Sequence, residues 1–233
     1  MSNAMRWRNV ALLGAALTLG FSGAALADAA QPAAPAPPPS AKPAAPAAPL
    51  SAQPAADPAA LVVQDFYDAL FESMRHAGEW HMQGRYDHLF PVMTKLFDVP
   101  AMTRIAVGPD FAKLAPDQQS ALRDAFAKLL VATFASTFDD FKGETYRVDG
   151  DVAERGQDKF VKSKFNGAGA PVDINYLLRG KGSDWRVIDI YLNGTISQLA
   201  TWRSEYGSTF QTGGFDGLMA AVKAQTDKDM KAF

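Results

Sequence analysis

The sequence contains no cysteine, so it has neither a disulfide framework nor thiol chemistry. Histidine is nearly as scarce. His76, His81 and His88 cluster near Glu79 and Asp87, but no two have the i, i+4 spacing of a helical zinc site and no HExxH occurs. They read as helix-surface histidines, and no metal is expected. Neither charge sign dominates: 23 basic residues, less Arg6 and Arg8 of the leader described next, leave 21 against 25 acidic ones, a net near −4. That balance excludes an electrostatic nucleic-acid binder or membrane-surface anchor. Long apolar runs are missing too. The stretch from Val10 to Phe21 falls short of the roughly 20 residues that span a bilayer. Arg6 and Arg8 precede it and Ala25-Leu26-Ala27 follows, the small-x-small pattern of a cleavage site, so residues 1–27 read as a signal peptide of an exported protein.

Residues 28–58 are almost entirely Ala and Pro, too poor in large apolar side chains to fold, and read as an extended, disordered linker. One α+β domain is expected at 59–226, followed by a charged tail at 227–233. Asp57-Pro58 caps and opens a first helix whose apolar face is Val63, Phe66, Tyr67, Leu70, Phe71 and Met74. A second helix runs from Glu79 to Leu96, with a bend expected at Phe90-Pro91. Asp98 and Gly108 bound a third. Pro116-Asp117 starts the longest, which is expected to reach Lys142 with Leu122, Phe126, Leu129, Leu130, Thr133, Phe134, Phe138 and Phe141 in one stripe.

The period then changes to two. Tyr146–Val148 and Lys159–Phe165 read as strands, and Val172, Ile174, Tyr176 and Leu178 alternate with polar residues. Gly180-Lys181-Gly182 turns that strand into another bearing Trp185, Val187, Ile188 and Ile190. Thr195 or Ser197 caps a helix with Ile196, Leu199, Trp202, Tyr206 and Phe210 on one face, and a last short helix is expected from Phe215 to Lys223. The expected fold is a twisted four-stranded antiparallel sheet packed against several helices around an apolar cavity.

Catalytic candidates are weak. Asp139 and Asp140 are adjacent, and neighbours on a helix point about 100° apart and do not converge. Asp189, on a strand between isoleucines, needs a partner such as Arg203 or Lys162, and pairing is its simplest role. Gly167-Ala168-Gly169-Ala170 lacks the spacing of a phosphate cradle and no GxSxG occurs, so no cofactor and no catalytic residue are expected. What stands out is a surplus of soft and aromatic side chains, 15 Phe and 8 Met. A dry space between long helix and hairpin would suit an apolar ligand.

The ordered set Arg85, Phe90, Phe97-Asp98, Ile105 and Gly108, then Phe111, Leu114, Gln118, Phe126 and Leu129-Leu130, then Trp185 to Ile190, Gly194, Ser197 and Arg203 resembles the MlaC family of periplasmic phospholipid-binding proteins. The Ala/Pro linker and the histidines of the first helices are similar to its hopanoid-associated branch, HpnM. The resemblance implies a periplasmic protein that carries one phospholipid or hopanoid-type lipid, tails inside. Its partners would be inner-membrane transporter and outer-membrane lipoprotein complexes. The cavity wall is then expected from Phe97, Met102, Ile105, Phe126, Leu129, Leu130, Phe134, Phe138, Tyr146, Tyr176, Leu178, Trp185, Val187, Ile190, Leu199 and Trp202. Arg147, Lys162, Lys164 and Arg179 are expected at the rim, facing a head group or a partner. The alternative is a small-ligand binder or enzyme on the cone-shaped plan of NTF2-like folds, which would need ionisable groups in the pocket.

Overall fold

The structure, a computed structural model, describes residues 57–167 and 169–231. The expected signal peptide and all but the last two residues of the Ala/Pro stretch lie outside them. Helix α1 (Pro58–Arg75) starts where expected: the Asp57 carboxylate accepts from the Ala59 amide at 2.8 Å, and proline occupies the first turn, where its missing N–H costs nothing. Lys159 donates to the same carboxylate at 2.5 Å and ties the helix start to the sheet.

Helix α2 (Ala77–Leu96) is broken at His81 (φ 52°, ψ −165°) and not at Pro91, which sits inside the helix. Pro91 and Asp87, whose carbonyl it frees, are both on the exposed side, where that carbonyl is open to solvent. Helix α3 (Val99–Val107) is capped by Asp98, which accepts from Ala101 at 2.9 Å, and ends at Gly108 with φ 88°. That conformation and the space are both glycine's: a Cβ there would lie 2.4 Å from the guanidinium carbon of Arg203, which donates to the Val107 carbonyl at 3.3 Å. A 3₁₀ turn (Pro109–Lys113) leads to α4 (Pro116–Thr137).

Helix α4 stops at Phe138, short of the expected Lys142. The buried guanidinium of Arg85 occupies its end, donating to the carbonyls of Ala135 (3.0 Å) and Asp139 (3.4 Å). A cation at a helix C-terminus satisfies orphan carbonyls and opposes the dipole.

Among the described residues the sheet has seven strands where four were expected: β1 (Thr145–Val148), β2 (Ala153–Arg155), β3 (Asp158–Val161), β4 (Ser163–Asn166), β5 (Val172–Lys181), β6 (Asp184–Leu192) and β7 (Ile196–Ser197). All pairings between these strands are antiparallel, and a parallel bridge joins Phe97 to Val187. The path runs β1-β4-β5-β3-β2, with β6 on the other edge of β5 and β7 beyond it. The stretch read as one strand, Lys159–Phe165, is two. The Lys162 carbonyl leaves the ladder to accept from Asp149 at 2.9 Å, and Ser163 turns inward, its hydroxyl donating to Ile174 O and its amide to Asn175 Oδ1 at 3.2 Å. Each half then takes a different outer neighbour, β2 or β1. Strand β2 is too polar to be recognised by alternation, and is defined by the two-residue turn at Gly156 (φ 66°).

Ser197 is the cap of α5 (Gln198–Met230), accepting from Ala200 at 2.9 Å. The two expected helices abut at Gly214, where the helical backbone is broken (φ 61°, ψ −157°), and residues 227–230, read as a tail, form the last turn of the second. There the Asp229 carboxylate accepts from Thr133 Oγ1 of α4 at 2.9 Å and from Gln225 at 2.7 Å. The core joins the helices to one sheet face around Phe66, edge-on to Phe97 (5.1 Å) and Phe134 (5.2 Å). On the other face Arg155 lies 3.7 Å over the Phe160 ring.

Candidate functional site

Between the helices and that sheet face lies a cavity of about 50 Å³. Helix α1 supplies Tyr67 and Leu70, α3 Met102, and α4 Leu130, Thr133, Phe134, Thr137 and Phe138. Strand β5 supplies Ile174 and Tyr176, β6 Ile190 and Leu192, and α5 Gln198 and Trp202. The periodicities explain the set. Leu130, Phe134 and Thr137 are one helical stripe, and Ile174↔Leu192 and Tyr176↔Ile190 are facing pairs of the hairpin, two residues apart on one side of the pleat. A single water needs about 10–15 Å³, so the space is real, yet its walls are too apolar to hold water well.

Among the described residues no carboxylate, ammonium, guanidinium or imidazole lines the cavity. The polar groups of its lining residues are hydroxyls, the Gln198 amide and the Trp202 indole N–H. At the deep wall Tyr67 Oη lies 2.8 Å from Ser163 Oγ, and the Tyr176 ring meets that of Tyr67 edge-on, centroids 5.9 Å apart. Burial pushes both phenols above their ordinary pKa, Tyr176 strongly, so both stay neutral. Thr133, Phe134, Thr137 and Gln198 are only half-buried, which places the open side between the end of α4 and the start of α5.

Of the expected wall, the cavity takes Met102, Leu130, Phe134, Phe138, Tyr176, Ile190 and Trp202. The others lie elsewhere. Phe97 is behind Phe134, at 6.3 Å, and Phe126 packs on Trp202 and Tyr206 (6.4 and 5.1 Å) between α4 and α5. Leu129, Leu178, Val187 and Leu199 are solid core and Ile105 is half-buried against it. Tyr146 stacks on the far side of Tyr67 at 4.4 Å and donates to Asp68 at 2.6 Å. Trp185 sits near the hairpin turn, donating to Gly182 O at 2.9 Å. Tyr67, Leu70, Thr133, Thr137, Ile174, Leu192 and Gln198 were missed. Ile174 was legible two residues before Tyr176, and Thr133 was already in the α4 stripe.

The expected rim is on the wrong side. Lys164 and Arg179 alternate with the inward residues of β4 and β5, and Arg147 faces Lys164, so these cations are on the sheet face turned away from the cavity. There Arg147 meets Asp149 (3.0 Å), Lys164 meets Asp173 (2.9 Å), and Arg179 grips Asp158 with two bonds of 2.8 and 2.7 Å. Lys162 is exposed at the strand break.

Asp189 finds neither Arg203 nor Lys162. A bulge at Leu177/Leu178 lets Val187 and Ile190 both face inward and swings Asp189 out of the cavity face. Its carboxylate accepts from Ser197 Oγ (2.6 Å) and from the amides of Ile190 (2.8 Å) and Leu199 (2.9 Å). It ties the end of β6 to the start of α5; burial outweighs these bonds and raises its pKa. His76 and His88 flank the Trp80 ring at 4.6 and 4.8 Å, and among the described residues no group of three or more potential ligands is arranged to hold a metal.

A phospholipid-binding protein of Ralstonia solanacearum, solved in complex with a phospholipid, shares the fold: TM-score 0.65 and 21% identity, over 74% of this chain and 99% of that one. No curated protein sequence matches the chain. The family profile described as MlaC protein matches residues 64–224, a span that contains every cavity residue named above. The chain belongs to the MlaC family.

Proposed function

We propose that this protein is a periplasmic lipid-binding shuttle. It takes a phospholipid or hopanoid-type lipid with the tails in the apolar cavity and moves it between an inner-membrane transporter and an outer-membrane lipoprotein complex, without a chemical step. The observation that carries the reading is the cavity wall, which has hydrocarbon, aromatic rings and hydroxyls but no ionisable group fit for acid–base work. A pocket of the NTF2-like enzyme type would need an acid and a base in that wall. The phospholipid in the Ralstonia solanacearum neighbour supports the same ligand class.

The energetics suit a carrier. Each methylene removed from water is worth about 0.8 kcal/mol, so some 30 methylenes of two tails need about 24 kcal/mol of shelter, roughly what the bilayer gives. A cavity that fills and empties needs walls that can shift. Met102 and the rings of Phe134 and Phe138, which change rotamer without losing polar bonds, are suited to that. The test is mass spectrometry of lipid extracted from purified protein, with transfer of labelled lipid between vesicles. Stoichiometric lipid and transfer are expected; neither co-purified lipid nor uptake from vesicles would refute the reading.

A further inference from the structure

Among the described residues two large hydrophobic side chains are exposed, Leu61 (43%) and Ile196 (47%). Leu61 stands on the solvent side of α1, well before the cavity residues Tyr67 and Leu70, and an isolated aliphatic residue on a helix surface needs no special account. Ile196 is placed differently. It belongs not to the α5 stripe in which its spacing put it but to β7, where its partner across the ladder is Leu192. Leu192 is in turn the partner of Ile174 on β5. Residues paired in an antiparallel ladder share a face, about 5 Å apart, so Ile174, Leu192 and Ile196 form one aliphatic row across three strands. Ile174 and Leu192 line the cavity, and so does Gln198, two residues beyond Ile196. The parity of the next residue agrees: Ser197 points to the opposite face, where its hydroxyl donates to Asp189 at 2.6 Å. The row therefore starts in the cavity wall and ends in solvent at the open side.

The exposed end of the row is held in place. Asn193 (φ 50°) and Gly194 (φ 77°) turn β6 into β7. The Gly194 amide donates to Asp173 O at 3.1 Å, the Asn175 side-chain amide donates to Gly194 O at 3.3 Å, and the Thr195 amide donates to Leu192 O at 3.2 Å. We propose that Ile196 is a further lipid-contacting residue: the β6–β7 turn is the sill over which an alkyl chain of the lipid enters the cavity, and Ile196 covers the part of the chain beside the mouth. The proposal rests on the reading that the cavity holds a lipid, and names where that lipid crosses the cavity's edge. An isoleucine offers a head group neither a hydrogen bond nor a counter-charge, and the turn before it, Asn193-Gly194-Thr195, has no ionisable side chain. An alkyl chain gains from it because both surfaces lose water. Covering the exposed half of such a side chain is worth roughly a 3- to 10-fold gain in affinity.

The test is photocrosslinking. Delipidated protein is loaded from vesicles of phosphatidylethanolamine and phosphatidylglycerol and separated from them before irradiation. The photoreactive side chain is introduced singly, by Ile196→p-benzoylphenylalanine and, as a control of similar exposure, by Leu61→p-benzoylphenylalanine. Mass spectrometry should find a phospholipid adduct at position 196 and none at position 61. With the tails inside, the adduct should lie in the half of the acyl chain nearer the ester. Uptake of phospholipid from the same vesicles supplies the second readout. Ile196→Ser should need roughly 3- to 10-fold more lipid than the wild type to reach half-loading, whereas Ile196→Leu and Leu61→Ser should match it. Because both positions are exposed, the melting temperatures of the delipidated variants should not change, which separates a lost lipid contact from a lost fold. Equal adduct yields at the two positions, attachment only at the methyl end of the chain, or wild-type half-loading of Ile196→Ser overturns the sill. A wild type that takes up no phospholipid removes the lipid reading of the cavity, and the sill with it.

Discussion

Phe66 and Phe134 meet edge-on, centroids 5.2 Å apart at 90°, yet replacing each by alanine should have different costs. Phe66 is fully buried and ringed by Tyr67, Phe97, Phe134 and Tyr176 at 5.1–6.1 Å. Its removal deletes packed atoms on every side, and Phe66→Ala should cost about 3–5 kcal/mol. Phe134 contacts Phe66, Phe97 and Phe138, but its remaining surface looks into the cavity, where no atoms are lost. If about half the ring is already unpacked, Phe134→Ala should cost only about 1.5–2.5 kcal/mol, because the new space merges with an existing void. At about 2–4 °C per kcal/mol for a domain of this size, the melting temperatures should fall by about 6–20 °C and 3–10 °C respectively. Both must be measured after delipidation, since a bound ligand stabilises the folded state by mass action. Equal losses, with no change in the chain length of lipid retained by Phe134→Ala, would mean that Phe134 sits in a solid core.

The Asp189 carboxyl is pushed up by burial, so its stabilising contribution is complete below about pH 4 and is lost as pH rises through the raised folded value. Between pH 4 and 7, Asp189→Asn should remove a downward slope in denaturation free energy while its amide oxygen still caps Leu199. A Cβ on Gly207 would lie 2.1 Å from Arg203 Nη1. Gly207→Ala should therefore destabilise the wild type by about 1–3 kcal/mol, yet stabilise an Arg203→Ala background by about 1 kcal/mol through helix propensity, a sign change that chemical denaturation would detect. Thr133→Val removes the donor to Asp229, and amide exchange should speed up in residues 215–230 while the rest of the domain is unchanged.

The helices α1 and α3 and the β5–β6 hairpin were legible because each carries strong local signals: Asp57-Pro58, Asp98 with Gly108, and period-2 alternation around Gly180-Lys181-Gly182. What escaped was set by contacts distant in sequence. Ser163 breaks a strand because its hydroxyl reaches Ile174 O, eleven positions away, and Arg85 ends α4 from fifty positions upstream. The bulge at Leu177/Leu178 breaks the alternation of β6, so that Val187 and Ile190 both face inward and Asp189 does not. The cavity itself was read as the meeting of long helix and hairpin, whereas α1 forms a third wall with Tyr67 and Leu70. Nothing in an apolar stripe distinguishes a residue that touches its neighbour from one that faces a gap; Phe126 and Leu130, four apart on the same helix, fall on either side of that line.

The branching of β3 and β4 along β5 also bears on aggregation. Long bare strand edges invite pairing with another chain. Here the two longest strands expose almost none: β5 is covered by β3 and β4 on one side and β6 on the other. The far edge of β6 is taken at one end by the Asp98 amide, bonded to Val187 O at 2.9 Å, and at the other by β7. The edges left open belong to β1, β2 and β7, of four, three and two residues, with Arg147, Glu154 and Arg155 among them. Another copy adding a strand would gain a handful of hydrogen bonds and confine charged side chains to obtain them, so the sheet offers little for a second molecule to extend.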